Sequence, residues 1–228
     1  MLKRSLVLAT ILSLFMALLV SGTSLAGTAG WSRTADNGFG DARNTVVSSM
    51  AVYGNAVYAG TTNPTSGCQV WRQEAGGWKN VTGGDRLGAG NTCAGCMTVL
   101  NGKLYVGTNK GFDWTTTPGE IWEYDGSNWR RVWAGEGTNE RGVKCLAVYG
   151  GALYAGTVDK DVSGGGCYGL ANVYRWNGNP GDFTRVTANG IDPAGLGLDG
   201  KYIPSVCNIV ADALAVYDGA LYVGTNKG

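Results

Sequence analysis

The sequence predicts an all-β fold, a β-propeller of four-stranded antiparallel blades, and three observations carry that expectation. One phrase is stated four times: Val57-Tyr58-Ala59-Gly60-Thr61, Leu104-Tyr105-Val106-Gly107-Thr108, Leu153-Tyr154-Ala155-Gly156-Thr157 and Leu221-Tyr222-Val223-Gly224-Thr225. Gly60, Gly107 and Gly156 stand 47 and 49 residues apart, a period that marks stacked repeat units. Segments such as Leu104-Tyr105-Val106 and Leu146-Ala147-Val148-Tyr149 are apolar on both faces, as strands are when their sheet is covered on both sides. Four-stranded sheets set radially and packed face to face satisfy all three, whereas a β-sandwich leaves the period unexplained. The 39 glycines suit tight turns, and the 8 tryptophans and 11 tyrosines suit strands.

The chain opens on a basic start, Met1-Leu2-Lys3-Arg4, and an apolar run from Leu6 to Val20, which together read as a secretory signal over residues 1–26. An uncleaved anchor is the alternative, but the run is shorter than the ~20 residues that span a bilayer. Secretion, or a periplasmic or cell-surface location, is therefore expected, with no membrane span after cleavage. The propeller is expected over residues 27–228. Within it, 27–47 form a closing outer strand and loop, 48–94, 95–143 and 144–206 form three blades, and 207–228 form part of another.

Each blade reads as two hairpins. In the first, Ser48–Tyr53 turns at Gly54-Asn55 into Ala56–Thr61, and Gln69–Arg72 turns at Gly76-Gly77 into Trp78–Thr82. Asn101-Gly102, Asp125-Gly126, Gly150-Gly151, Asn177-Gly178 and Asp218-Gly219 supply the turns of the later repeats, with dipeptides suited to positive φ. Trp71, Trp122 and Tyr174 are expected between neighbouring sheets, with Trp78, Trp129 and Phe183 at corresponding places. Trp31 precedes Met50 by the same 19 residues that separate Trp78 from Met97, so Trp31–Thr34 is expected to close the ring as an outermost strand beside the final repeat. Three full repeats and part of a fourth read as a fragment of a longer gene product; a small propeller lacking one strand is the alternative.

The Val-Tyr-x-Gly-x-Leu-Tyr-x-Gly-Thr type of hairpin, followed by Val70-Trp71-Arg72 or Ile121-Trp122-Glu123-Tyr124-Asp125-Gly126 and a tryptophan at the next strand, resembles the Kelch-like and Asp-box-like propeller repeats of secreted bacterial and archaeal proteins. The resemblance covers residues 27–228 and implies the architecture. Paired Kelch glycines are represented here by Ala59-Gly60 and Val106-Gly107, and Asp125-Gly126-Ser127-Asn128-Trp129 is a degenerate Asp box. No residue matches the catalytic motifs of the sialidases or oxidases built on such repeats.

Composition removes several chemistries. There is no histidine, so Ser-His-Asp and Cys-His machinery, His-ligated zinc and c-type haem are excluded. A net charge of +1 with 15% charged residues offers no basic field for a nucleic acid. What remains is a loop face. The first-to-second and third-to-fourth strand turns are tight and share one end of a blade, while the other connections are long and share the opposite end, where a rigid scaffold presents functional residues. Its polar inventory includes Asp41, Arg43, Asn44, Asp85, Arg86, Asn91, Asp113, Glu140, Arg141, Asp159, Asp161, Asp192 and Asp199, with Trp114 as a platform for a sugar. Asp159-Lys160-Asp161 suggests Ca2+, but Val162 interrupts the ligand spacing, so no cofactor is expected. The expected function is binding of a protein or carbohydrate ligand by a monomeric scaffold. The alternative is a carbohydrate hydrolase or lyase using loop carboxylates such as Asp113 and Asp159.

The six cysteines are expected to form structural disulfides in an oxidising compartment. Cys68 and Cys93 lie in two long loops of the first repeat, and Cys167 and Cys207 lie in the same two loops of the third, so the pairs Cys68–Cys93 and Cys167–Cys207 follow. Cys96 and Cys145 share a register on adjacent innermost strands and are the candidate third pair.

Overall fold

The four Tyr-x-Gly phrases lie in four second strands, and everything else in the fold is placed by them. The computed structural model describes residues 33–83, 87, 88, 90–110, 118–135, 140–159, 171–187 and 208–227. Residues 35–228 form one compact unit; of the preceding unit, only Arg33 and Thr34 are described, and neither is in a strand. Trp31, the centre of the expected closing strand, lies outside the described residues.

Among the described residues there are fourteen strands, all paired antiparallel. Sheet I is the meander β1 (Val46–Tyr53), β2 (Ala56–Thr62), β3 (Val70–Glu74) and β4 (Gly77–Asn80). Sheet II is β5 (Cys93–Leu100), β6 (Lys103–Asn109), β7 (Glu120–Tyr124) and β8 (Trp129–Ala134). Sheet III is β9 (Glu140–Tyr149), β10 (Ala152–Asp159), β11 (Val173–Trp176) and β12 (Phe183–Arg185), and a hairpin follows, β13 (Asn208–Tyr217) with β14 (Ala220–Lys227). Successive groups are joined by one bridge each, Thr62 to Cys93, Asn109 to Gly142 and Val158 to Val210. Among the described residues, β1 pairs with β2 and β14 with β13, and the series does not close on itself.

Turn chemistry sets the meanders. Asn101-Gly102, Gly150-Gly151 and Asp218-Gly219 have positive φ at both central residues, the backbone that matches the twist of a two-residue hairpin. Each first strand carries a β-bulge at the same place, at Ser48, Gly95, Lys144 and Asp212, and β9 and β13 carry a second one nearer their starts, at Arg141 and Ile209. An extra residue flips the face that later side chains occupy. Ala94, Val143 and Ala211, just before the bulge, therefore share a face with Met97, Leu146 and Leu214 just after it.

That face packs on the preceding sheet. Ala94, Met97 and Val99 join Tyr58, Cys68 and Val70 in a core between sheets I and II, together with Leu104, Val106, Tyr124, Trp122 and Trp129. Val143, Leu146 and Val148 pack with Cys96, Tyr105, Ile121 and Trp133 between sheets II and III. Ala211 and Leu214 pack with Tyr154, Ala171 and Val173 under the hairpin. Trp122, Trp129, Tyr174 and Phe183 thus lie between sheets as expected. Trp71 and Trp78 do not. They face away from sheet II and are covered by Phe39, at ring separations of 5.6 and 4.8 Å. Trp133 and Trp176, which the repeat pattern does not single out, are both buried in the II–III core.

The phrase glycine is where two sheets touch. A methyl group on Gly107 would lie 2.5 Å from Cys96 Sγ and 2.6 Å from Val143 Cγ1, and one on Gly60 would lie 2.7 Å from the Ala94 carbonyl oxygen. On Gly156 it would meet the Ala211 carbonyl oxygen at 2.8 Å. No side chain fits between these strands.

The cysteines correct an expectation. Cys68, Cys93, Cys96 and Cys145 are all free thiols, so neither Cys68–Cys93 nor Cys96–Cys145 is bridged. Cys96 and Cys145 hold equivalent positions and so point the same way, each toward the next sheet. Cys96 Sγ donates to the Val143 carbonyl at 3.7 Å and Cys145 Sγ to that of Ala211 at 3.1 Å. The Cys68 backbone N–H donates to the Asn91 carbonyl at 3.0 Å, beside Cys93, but the Cys68 thiol is sealed in the I–II core. Burial pushes the pKa of this thiol far above its ordinary value and keeps it as a protonated, unreactive thiol. Cys167 and Cys207 lie outside the described residues. No helix among the described residues is long and apolar enough to cross a membrane.

Replacing Gly107 by alanine should destabilise the fold by ~1–3 kcal/mol, the usual cost of overpacking. Gly76, with no atom within 4 Å of an added methyl, is the control, and Gly76→Ala should be close to neutral. Urea denaturation of the two variants checks the difference.

Candidate functional site

The long connections 63–69, 81–92, 110–119, 135–139, 160–172 and 186–207 all leave from the end of the sheets opposite the tight turns. Asp85, Arg86, Asp113, Trp114 and Asp161 lie in parts of these loops outside the described residues, as do Asp192 and Asp199, and of Asp159 only the backbone, at the end of β10, is described. The described candidates are Asp41, Arg43, Asn44, Asn91, Glu140 and Arg141. The structure brings three of them, Asn44, Asn91 and Glu140, to one recurrent polar arrangement.

Each sheet has a buried acceptor–donor latch between the residue that leads into its first strand and the residue just before the apolar start of its third. In sheet I, Asn44 Nδ2 donates to Gln69 Oε1 at 2.8 Å, and Trp71 Nε1 donates to the same oxygen at 3.1 Å. In sheet II, Asn91 Nδ2 donates to Glu120 Oε2 at 2.5 Å and Trp122 Nε1 to that oxygen at 2.9 Å. In sheet III the chemical roles are exchanged: Asn172 Nδ2 and Tyr174 Oη both donate to Glu140 Oε1 at 2.8 Å. Asn44, Asn91 and Glu140 are spaced by 47 and 49 residues, like the phrase glycines.

These latches explain what the buried polar groups do. Burying an amide or carboxylate is costly unless its hydrogen bonds are made. Asn44 makes four: its Nδ2 also reaches the Gly38 carbonyl at 2.8 Å, and its Oδ1 accepts from Thr61 Oγ1 at 3.1 Å and Asn63 Nδ2 at 3.0 Å. The 37–40 turn is thereby held against sheet I, with Gly38 at φ 62° and no room for a methyl, since one would lie 2.8 Å from the Asn44 carbonyl oxygen. This is the turn that carries Phe39 onto Trp71 and Trp78. Glu120 gains a further partner, Arg131, at 2.8 Å.

Asp41, Arg43 and Arg141 stand outside the latches. Asp41 accepts from Arg43 Nε at 2.8 Å, from its NH2 at 3.0 Å and from its backbone N–H at 3.1 Å, and from Gln69 Nε2 at 3.3 Å. The Arg43 side chain is the main reason the Asp41 carboxyl is lowered to about 2. Arg141 is half-buried as the second residue of β9. Glu140, expected on an open loop, is instead buried at the start of β9, and its backbone pairs with that of Asp159.

A third buried carboxylate, absent from the sequence-based candidates, lies on sheet II beside Glu120. Glu123 accepts from Lys103 Nζ, Arg130 NH2 and Tyr105 Oη, each at 2.8 Å. Burial works to raise its pKa, but the three hydrogen bonds outweigh that and hold it below the ordinary value. Gln69, Glu120, Asn172 and Glu123 all escaped the sequence reading, yet three of them carried a signal. Gln69-Val70-Trp71, Glu120-Ile121-Trp122 and Asn172-Val173-Tyr174 are one pattern, a polar residue, a branched apolar residue and an aromatic residue with a polar edge.

The reversed latch of sheet III gives a test. Asn91→Glu sets two carboxylates against each other and Glu120→Asn removes the acceptor shared by Asn91 and Trp122, so each should cost ~1–3 kcal/mol. The double exchange should recover part of that loss in a double-mutant cycle of urea midpoints. Glu123 gives a pH test. Its carboxyl ionises more readily folded than unfolded, so its contribution is whole above the ordinary glutamate value of ~4.3 and is lost as pH falls through the lower folded value. The urea midpoint should drop below about pH 4.3, and less steeply in Glu123→Gln than in the parent. Compared with known proteins, the chain matches no family model and no curated sequence.

Proposed function

We propose that the chain is a β-propeller of the secreted binding-scaffold kind, resembling Kelch-like and Asp-box-like repeat proteins, whose long-loop face recognises a glycan, a peptide or another surface partner. The observation that carries this reading is the way the sheets are related. Three successive interfaces repeat one contact, a bulged first strand on the phrase glycine of the sheet before it, and an iterated face-to-face step of this kind generates a radial stack.

The polar chemistry also supports binding over turnover. Glu120, Glu123 and Glu140 are tied into hydrogen bonds within their own sheets, and Asp41 is tied to Arg43. Carboxylates held this way position backbone; they do not stand ready to move a proton. The loops they brace would carry recognition, with Asp85, Arg86, Asp113, Trp114 and Asp161 as the residues that meet the ligand. The leader at residues 1–26 agrees with a secreted, periplasmic or cell-surface setting. A carbohydrate hydrolase or lyase using Asp113 and Asp159 is the competing reading.

Purified protein should bind members of a glycan or peptide array without cleaving them, and Trp114→Ala should weaken that binding while leaving the thermal melt unchanged. Glycan turnover that disappears in Asp113→Asn or Asp159→Asn would replace the binding reading with the enzymatic one.

A further inference from the structure

The surroundings of Glu123 show what the turn end of a sheet can hold. Tyr105, Glu123 and Arg130 stand directly opposite one another on β6, β7 and β8, so their side chains share one face. With Lys103 they form a notch for a carboxylate. Tyr105 Oη, Arg130 NH2 and Lys103 Nζ supply the donors, and Glu123 fills the notch from within the chain.

Sheet I repeats the row with one change of sign. Tyr58, Arg72 and Lys79 stand opposite one another on β2, β3 and β4, on the face that meets sheet II. Arg72 takes the place of Glu123, Lys79 that of Arg130 and Ala56 that of Lys103. The donors remain and the carboxylate is gone. Tyr58 is 3% exposed, yet among the described residues its hydroxyl has no hydrogen-bond acceptor. Burial raises the pKa of this phenol, and Arg72 is the charge that offsets the rise most. The Arg72 guanidinium meets Glu74 at 3.9 Å, too far for a hydrogen bond. Asp125, at the same end of sheet II, is turned onto the backbone N–H groups of Ser127 and Asn128 at 2.8 and 2.7 Å. Where sheet II has the Lys103 side chain, sheet I has an open groove of about 470 Å³, lined by Asn55, Ala56, Arg72, Gln73, Glu74 and Ala75. That volume is within the usual range of small-molecule sites.

We propose that this groove binds an acidic sugar of the uronate class, whose carboxylate takes beside Tyr58, Arg72 and Lys79 the place that Glu123 holds on sheet II. The rest of the lining selects a sugar. The Asn55 and Gln73 amides both donate and accept, and Glu74 only accepts, so the groove suits hydroxyl groups arranged around a single carboxylate. A second carboxylate, as on an acidic peptide, would meet Glu74 and be repelled. The groove lies at the tight-turn end of the sheets, opposite the long loops, and does not depend on what those loops recognise.

Titration of the full chain with glucuronate, followed by amide and guanidinium NMR signals, tests this. Glucuronate should bind with a Kd of about 1 mM, as suits a small ligand in an open groove, and should shift the signals of Arg72, Gln73 and Ala75. Glucose, the same ring without the carboxylate, and acetate, the carboxylate without the ring, should each bind about tenfold more weakly or not at all. Arg72→Gln and Tyr58→Phe should each weaken glucuronate by about tenfold, the usual effect of losing a hydrogen bond to a charged group. Arg72→Glu rebuilds the arrangement of sheet II, with Tyr58 and Lys79 as donors, and should abolish binding without lowering the thermal melt. Arg185→Gln, which removes an exposed cation on sheet III, should leave the Kd unchanged. Glucuronate shifts confined to other residues, equal binding of glucose or acetate, tighter binding of a polyglutamate peptide, or undiminished binding by Arg72→Glu would overturn the proposal. Loss in Arg185→Gln equal to that in Arg72→Gln would also overturn it, by showing attraction to charge alone.

Discussion

The contact on which the rest depends is the seating of a small or β-branched side chain on a bare glycine of the neighbouring sheet. Val143 over Gly107 is the clearest case: with no Cβ on one side, the two strands approach closely enough for Cys96 to reach a carbonyl of the next sheet. That approach is what lets Tyr105, Ile121, Trp133 and Trp176 close a dry core around it. Dispersion attraction falls off steeply with separation, so one intruding methyl at the centre would thin the packing over the whole interface. The β-bulge beside the contact serves the same end, because it turns Val143 and Leu146 onto a single face that a regular strand would divide.

Polar groups in this molecule act mainly within sheets, and apolar groups mainly between them. Asn44, Glu120 and Glu140 each bind partners of their own sheet and hold the entry of the first strand beside the start of the third. The result is a firm edge from which the long loops depart. Buried carboxylates are tolerated because each has donors fixed in place; Glu123 has Lys103, Arg130 and Tyr105 around it, and Glu120 has Asn91, Trp122 and Arg131.

Much of the fold was legible because the repeat carries its own register. The phrase located β2, β6, β10 and β14, and the glycine-containing turns located their hairpin partners. Face assignment was harder to read. Trp71 looks equivalent to Trp122 by sequence and is equivalent in its sheet, but it lies in the first sheet, so Phe39 replaces a neighbouring sheet as its cover. The Cys96–Cys145 pairing failed for a related reason. Cys96 and Cys145 share a register, and in a stack that means their thiols point the same way and not toward each other. The candidate site was only partly legible. Spacing put Glu140 among loop residues, while burial and the distant Asn172 and Tyr174 decide what it does. The repeating Gln-Val-Trp, Glu-Ile-Trp and Asn-Val-Tyr triplets held that information, but their polar members differ in charge and hide the likeness.

The exchange of carboxylate and amide between sheets II and III has a consequence for how such a chain can change over time. Because each latch closes inside one sheet, a reversal of donor and acceptor needs one compensating substitution about thirty positions away and none in the adjoining sheets. Neighbouring sheets meet through glycine, valine, alanine and ring carbons, which are indifferent to that reversal. A duplicated or transplanted sheet would therefore bring its electrostatics with it and need only the right shape at its two faces. Drift in the polar positions can run independently in every copy, while the Tyr-x-Gly strand and the bulged strand that sits on it are held to a common outline.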